Sequence, residues 1–175
     1  MMWIQRSRIA CAALLVVLAG ALAGCGLTKS PADDITFTAP NGWQGTPGIM
    51  GRFQLWTGGD TNAKQVLMLM KLPQDAKIDK TFSPSDFKDA AGPATLKGGT
   101  ILEQRTMTIC GGQPARFMKM SGVSSNSDGK KTDEMIEAVV SKVSDGTFMA
   151  MHMYPVGAVP DPGAEAAIYE LCPKK

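Results

Sequence analysis

The sequence predicts an α+β fold, an antiparallel β-sheet flanked by helices. Three observations predict it. Short runs of alternating or continuous apolar residues recur along the chain at strand-like lengths. Turns rich in Gly, Pro and Asp join consecutive runs, which implies antiparallel neighbours. Two segments with helix-start chemistry interrupt the series, so the order is three strands, a helix, four strands and a helix, a sheet carrying helices.

Ile35 to Thr38 alternates apolar and polar residues, and Pro40-Asn41-Gly42-Trp43 follows with turn chemistry and an aromatic anchor. Gly51 to Trp56 alternates again, with Phe53 and Leu55 on one face. Val66 to Leu72 is a continuous apolar run closed by Pro73, as expected of a central strand covered on both faces. Ser83-Pro84-Ser85-Asp86 offers an N-cap serine, proline at the first helical position and an acid near the positive end of the helix dipole. This predicts a helix to about Ala91, before Gly92-Pro93. Thr100 to Cys110 and Ala115 to Met120 read as a hairpin about Gly111-Gly112-Gln113-Pro114. Gly122 to Lys131 is polar and reads as a mobile surface loop. Glu134 to Val143 and Thr147 to Tyr154 form another hairpin joined by Ser144-Asp145-Gly146, with Asp145-Gly146 as its turn signal. Pro162 to Leu171 reads as a terminal helix capped by Asp161, with Ala164, Ile168 and Leu171 on one face.

The first residues carry a different message. Arg6 and Arg8 form a short positive stretch, and Ile9 to Ala23 are apolar or small. That run falls short of the roughly twenty residues a transmembrane helix needs, and it suits a secretory signal. It ends in Leu22-Ala23-Gly24-Cys25, which resembles the bacterial lipobox. The resemblance implies a diacylglyceryl thioether on Cys25 and cleavage just before it. Residues 1–24 therefore read as a lipoprotein signal peptide, 25–33 as the lipidated N-terminus with a flexible tether, and 34–175 as a single domain. A hydrophobic fraction of 44% and a charged fraction of 19% are ordinary for one soluble domain and speak against disorder or a multi-pass membrane protein. The 18 Lys and Arg include Arg6 and Arg8; without those two, basic residues balance the 16 Asp and Glu. A neutral domain lacks the basic field that nucleic acid requires.

Of the 4 cysteines, Cys11 leaves with the signal and Cys25 is lipidated, so Cys110 and Cys172 remain. An even pair in an exported domain reads as a disulfide. A metal pair or a reactive thiol is the alternative. There is no C-x-x-C, and with a single histidine a zinc site would need carboxylates.

Catalytic motifs are missing: no G-x-S-x-G, P-loop or H-E-x-x-H occurs. His152 could serve as a general base but sits in an apolar strand, where a satisfied core histidine is expected. Asp133-Glu134 and Glu137 could pair for acid–base work, or simply decorate a solvated strand. Methionine is the unusual component. Met68 and Met70, Met118 and Met120, and Met149, Met151 and Met153 each repeat with period two, so each set lies on one strand face. Thioethers can bind Cu(I), and they also fill irregular core space.

Ile35-Thr-Phe-Thr-Ala-Pro-Asn-Gly-Trp43, Thr108-Ile-Cys-Gly-Gly-Gln-Pro-Ala115 and the closing Ala167-Ile-Tyr-Glu-Leu-Cys172 resemble the PsbP-like group, specifically its bacterial lipoproteins of the LpqN and DcrB kind. The resemblance spans about residues 33–173. It implies a central antiparallel sheet flanked by helices, and binding or accessory roles without shared catalytic machinery. Segments specific to the photosystem II or Ran-binding members are not recognisable. The expectation is a lipid-anchored cell-envelope binding protein facing the periplasm or the cell exterior, with no cofactor, metal or catalytic site. Its expected partners are the membrane, through Cys25, and another protein. A Met-based Cu(I) binder and a hydrolase are the alternatives.

Overall fold

The structure, a computed structural model, describes residues 29–59, 63–74, 76, 97–125 and 131–174. A 3₁₀ turn over Pro31–Asp33 leads into β1 (Ile35–Thr36), β2 (Gln44–Gly45), β3 (Phe53–Gly58) and β4 (Gln65–Leu72). Then come β5 (Lys97–Ile109), β6 (Gln113–Ser125), β7 (Lys131–Val143), β8 (Gly146–Pro155), helix α1 (Pro162–Ala167) and β9 (Cys172–Pro173). Seven strands form one sheet in the order β2-β3-β4-β8-β7-β6-β5, and β1 pairs with β9 as a separate ribbon. Every pairing is antiparallel.

This corrects the expected fold class. The described residues are mostly β, with one six-residue helix and not a sheet flanked by helices. The C-terminal helix starts as its sequence predicts: the Asp161 carboxylate accepts from the Gly163 and Ala164 amides at 2.9 Å, with Pro162 in the first turn. It stops at Ala167, four residues early. Tyr169 and Glu170 donate to the carbonyls of Ala166 and Ala167, closing tight three-residue turns. Cys172 then enters a ladder opposite Thr36. Pairing with β1 wins over continuing a short, alanine-rich helix that is marginal in water. The helix expected from Ser83 to Ala91 lies outside the described residues, as do Cys25 and the expected signal peptide over residues 1–24.

Two further expectations are corrected. Gly122 to Ser125 is not loop. The β6–β7 ladder runs on through Val123↔Asp133 to Ser125↔Lys131, because serine and threonine suit a solvated strand as well as a turn. Of the expected loop, 126–130 lie outside the described residues. The β7–β8 turn starts at Ser144 as expected but is one residue shorter than Ser144-Asp145-Gly146, because Gly146 already belongs to β8. Val143 pairs with Gly146, and Ser144 takes the positive φ of 53°. Gly146 is needed for space instead: a Cβ there would lie 2.8 Å from the Phe148 ring.

Both sheet faces are buried. On one, Trp56, Leu67, Leu69, Phe117, Val139, Phe148 and Ala150 pack with Ile35, Ala167, Ile168 and Leu171. The other is rich in methionine: Met68, Met70, Met118, Met120, Met149 and Met151 pack with Ile136, Ala138 and Val140. Register sets Met68 opposite Met151 and Met70 opposite Met149. A disulfide joins Cys110, in the β5–β6 turn, to Cys172, with Cα atoms 5.5 Å apart. It therefore ties a sheet turn to the β1–β9 ribbon and not to the end of a helix. Among the described residues no helix is long and apolar enough to cross a membrane.

Candidate functional site

Register assembles what the linear sequence keeps apart. One cross-strand row on the aromatic face reads Trp56, Leu67, His152, Glu137, Lys119 and Glu103. Its middle is polar, in the midst of an apolar layer. Glu137 Oε1 accepts from Lys119 Nζ at 2.7 Å and from the Tyr154 hydroxyl at 2.9 Å. Glu137 is 4% exposed and His152 fully buried. The Glu137 carboxylate raises the Lys119 pKa, while burial, followed by the hydrogen bond to Glu137, raises that of Tyr154.

His152 Nε2 lies 2.7 Å from Gln65 Oε1. That same oxygen accepts from the Asp161 amide at 2.9 Å, and Gln65 Nε2 donates to the Val159 carbonyl at 2.8 Å. The amide orientation makes Gln65 Oε1 an acceptor, so Nε2 of the imidazole carries the proton. Nδ1 is buried with no hydrogen-bond partner among the described residues. Burial lowers the imidazole pKa to about 4, outweighing the attraction of Glu137 and Asp161. At neutral pH the ring is uncharged. Two bracing contacts result: Gln65, seated on His152, fastens the loop before α1 to the sheet, and Glu137 ties Lys119 of β6 to Tyr154 of β8.

The remaining acid candidates do not join it. Glu134 and Glu137 project to opposite faces of β7. Glu134 accepts from the Ser124 hydroxyl at 3.2 Å, and burial raises its pKa. Asp133 is exposed, opposite Val123. The methionine sets do converge on one face, but as core: Met118 is 0%, Met120 and Met151 1%, and Met149 2% exposed. Such packed thioethers fill the interior and do not present ligands to an incoming ion. Among the described residues no group of three or more His, Cys, Asp or Glu could hold a metal ion.

The solvated feature lies elsewhere, at the opposite end of β4 from Gln65. A cleft of about 530 Å³ is lined by residues that include Lys29, Asp34, Met50, Arg52 and Lys71. Asp34 bridges two of its cations, Lys29 through Oδ1 and Lys71 through Oδ2, both at 2.9 Å. Hydrogen bonds from Lys71, then Lys29, hold the Asp34 carboxyl below the usual range. Lys71 also stands 5.4 Å over the Phe148 ring. Sequence reading missed this cleft and missed Lys119 and Gln65. Only Lys119 left a local signal, a charge interrupting the apolar run from Phe117 to Met120.

No family model and no curated protein matches the chain. Solved structures do resemble it. A Pseudomonas aeruginosa protein of unknown function has 14% identity and a TM-score of 0.51, over 81% of this chain and 99% of that one. LpqN of Mycobacterium tuberculosis, involved in cell envelope biogenesis, has 21% identity and a TM-score of 0.42, over 78% and 80%. A STAR-related lipid transfer protein from Xanthomonas axonopodis has 9% identity and a TM-score of 0.33, over 73% and 89%. The first of these is a likeness of fold alone, and the other two are too loose to carry an argument.

Proposed function

We propose that the chain is a lipid-anchored, non-catalytic accessory protein of the cell envelope that binds another protein along strand β5. The observation that carries the binding role is β5 itself. It ends the described sheet order, is thirteen residues long, and is solvent-exposed from Thr100 to Thr106. Ile101 and Leu102 are 37% and 53% exposed on it. A terminal strand offers a row of backbone donors and acceptors that an extended partner segment can pair with. Register shifts between Lys97 and Thr100, and between Ile101 and Glu103, twist this edge and oppose indiscriminate self-pairing.

The anchor rests on Leu22-Ala23-Gly24-Cys25, and the Cys110–Cys172 bond suits an exported protein. The non-catalytic part draws support from the burial of His152 and Glu137, each held in its own bracing contacts. The resemblance to PsbP-like binding lipoproteins points the same way. Crosslinking in the native envelope tests the reading. One protein species should be captured by the unmodified chain and lost when Ile101→Lys and Leu102→Lys are introduced together. A capture pattern identical with and without those substitutions would refute β5 as the docking edge.

A further inference from the structure

The cleft end of the molecule is joined to the tether. The Gly51 amide donates to the Lys29 carbonyl at 2.7 Å, and Lys29 reaches Asp34. A Cβ on Gly48 would come within 2.5 Å of the Lys29 carbonyl oxygen, so glycine lets the two backbones lie together. The loop held against Lys29 carries two exposed apolar side chains, Ile49 at 53% and Met50 at 64%. Met50 takes φ of 52° and Gly51 of 67°, which turns the chain sharply at the tip. Around it stand Lys29, Arg52 and Lys71, three cations with Asp34 as the counter-charge.

Covalent geometry then fixes where this end must be. Cys25 and Lys29 are four residues apart, so no arrangement of the chain separates them by more than about 14 Å. A lipid on Cys25 therefore holds the loop within the headgroup zone or just above it. We propose that Ile49, Met50 and Arg52, with Lys29 and Lys71, form a membrane-docking face that seats on an anionic phospholipid surface, the apolar pair entering the interface and the cations meeting lipid phosphates. This rests on the anchored reading of Cys25 and adds an orientation to it. The cleft end faces the bilayer. Gln65 and Val159, at the far end of β4, face away by roughly 23 Å of strand.

The test uses the full lipidated chain in vesicles of phosphatidylglycerol and brominated phosphatidylcholine, with intact mass reporting the lipid on Cys25. Met50→Trp and Val159→Trp are compared, each after subtraction of the parent chain's emission. Val159 is 84% exposed and serves as the distal control. The docked orientation predicts that the residue-50 emission falls by about half or more while the residue-159 emission hardly changes, because bromine quenches only at contact depth. Adding Arg52→Glu, or omitting phosphatidylglycerol, should reduce that quenching by at least about twofold. Equal quenching at both positions, or none at position 50, in protein whose mass shows the lipid would overturn the docking face and leave the anchor standing. A mass without lipid would overturn both.

Discussion

Burial keeps the His152 imidazole neutral in the folded protein until about pH 4. The unfolded chain takes up that proton near the ordinary histidine value of about 6.5. Between those values the unfolded state binds more protons, so stability falls as pH drops from 6.5 toward 4 and is indifferent to His152 above 6.5. At about pH 4.5 the loss is roughly 2–3 kcal/mol. Urea midpoints at about pH 7 and 4.5 should show it, and His152→Gln should shrink the difference. Asp34 works lower on the scale: its carboxyl is depressed, so its contribution is present above the usual carboxylate range and disappears only on further acidification. Lys119 and Glu137 offer a separate residue-level test. Lys119→Met should cost about 2 kcal/mol, less than for a fully buried pair because 32% of the lysine side chain remains exposed. Lys119→Met with Glu137→Leu should recover much of that, since the cost lies in stranding the carboxylate. Additive losses in denaturant titrations would show that the two groups do not act as a pair.

Ribbon β1–β9 has only two residues on each side, too few to hold itself together. The disulfide supplies what pairing cannot. It closes a 62-residue separation, for which loop entropy gives roughly 4 kcal/mol at most. Replacing Cys110 and Cys172 together by Ala should lower the melting temperature by roughly 10 °C and release the ribbon before the main sheet. An unchanged melting temperature would contradict a structural role. The methionine strands make a second element-level prediction. Under mild peroxide Met50 should oxidise first, while Met68, Met118 and Met151 stay protected until the domain unfolds. Equal oxidation of all four, read by peptide mass, would remove them from the core.

At the scale of the whole molecule, local pattern and register divide what the sequence discloses. Apolar runs and period-two alternation are local, so β4, β8 and the placement of each methionine set on one face of its strand were legible, as was the Asp161 cap, whereas the sharing of one sheet face by those sets follows from register. The Lys119–Glu137–His152 row was not, because which residues stand side by side across β6, β7 and β8 depends on long-range pairing. The same holds for the cleft, whose Lys29, Asp34, Arg52 and Lys71 come from three separate stretches of chain. Helix α1 ends early for a non-local reason too, the pairing of Cys172 with Thr36. The outcome is a sheet whose Lys29 end carries cations and exposed apolar residues. Its terminal strand β5 lies four strand positions from β4, roughly 19 Å away across the sheet. An anchored domain could then meet its membrane and its partner on different sides.

The proposed membrane-docking face rests on the proposed anchor at Cys25, and one measurement addresses that anchor directly: detergent-phase partitioning of the full chain from its native membrane, with intact mass. The anchored protein should enter the detergent phase at the mass of residues 25–175 plus a thioether-linked diacylglycerol. Cys25→Ser should remain at precursor mass or move to the aqueous phase. A native protein with a free Cys25 thiol, or a Cys25→Ser chain that stays in detergent at the mature mass, would contradict the anchor.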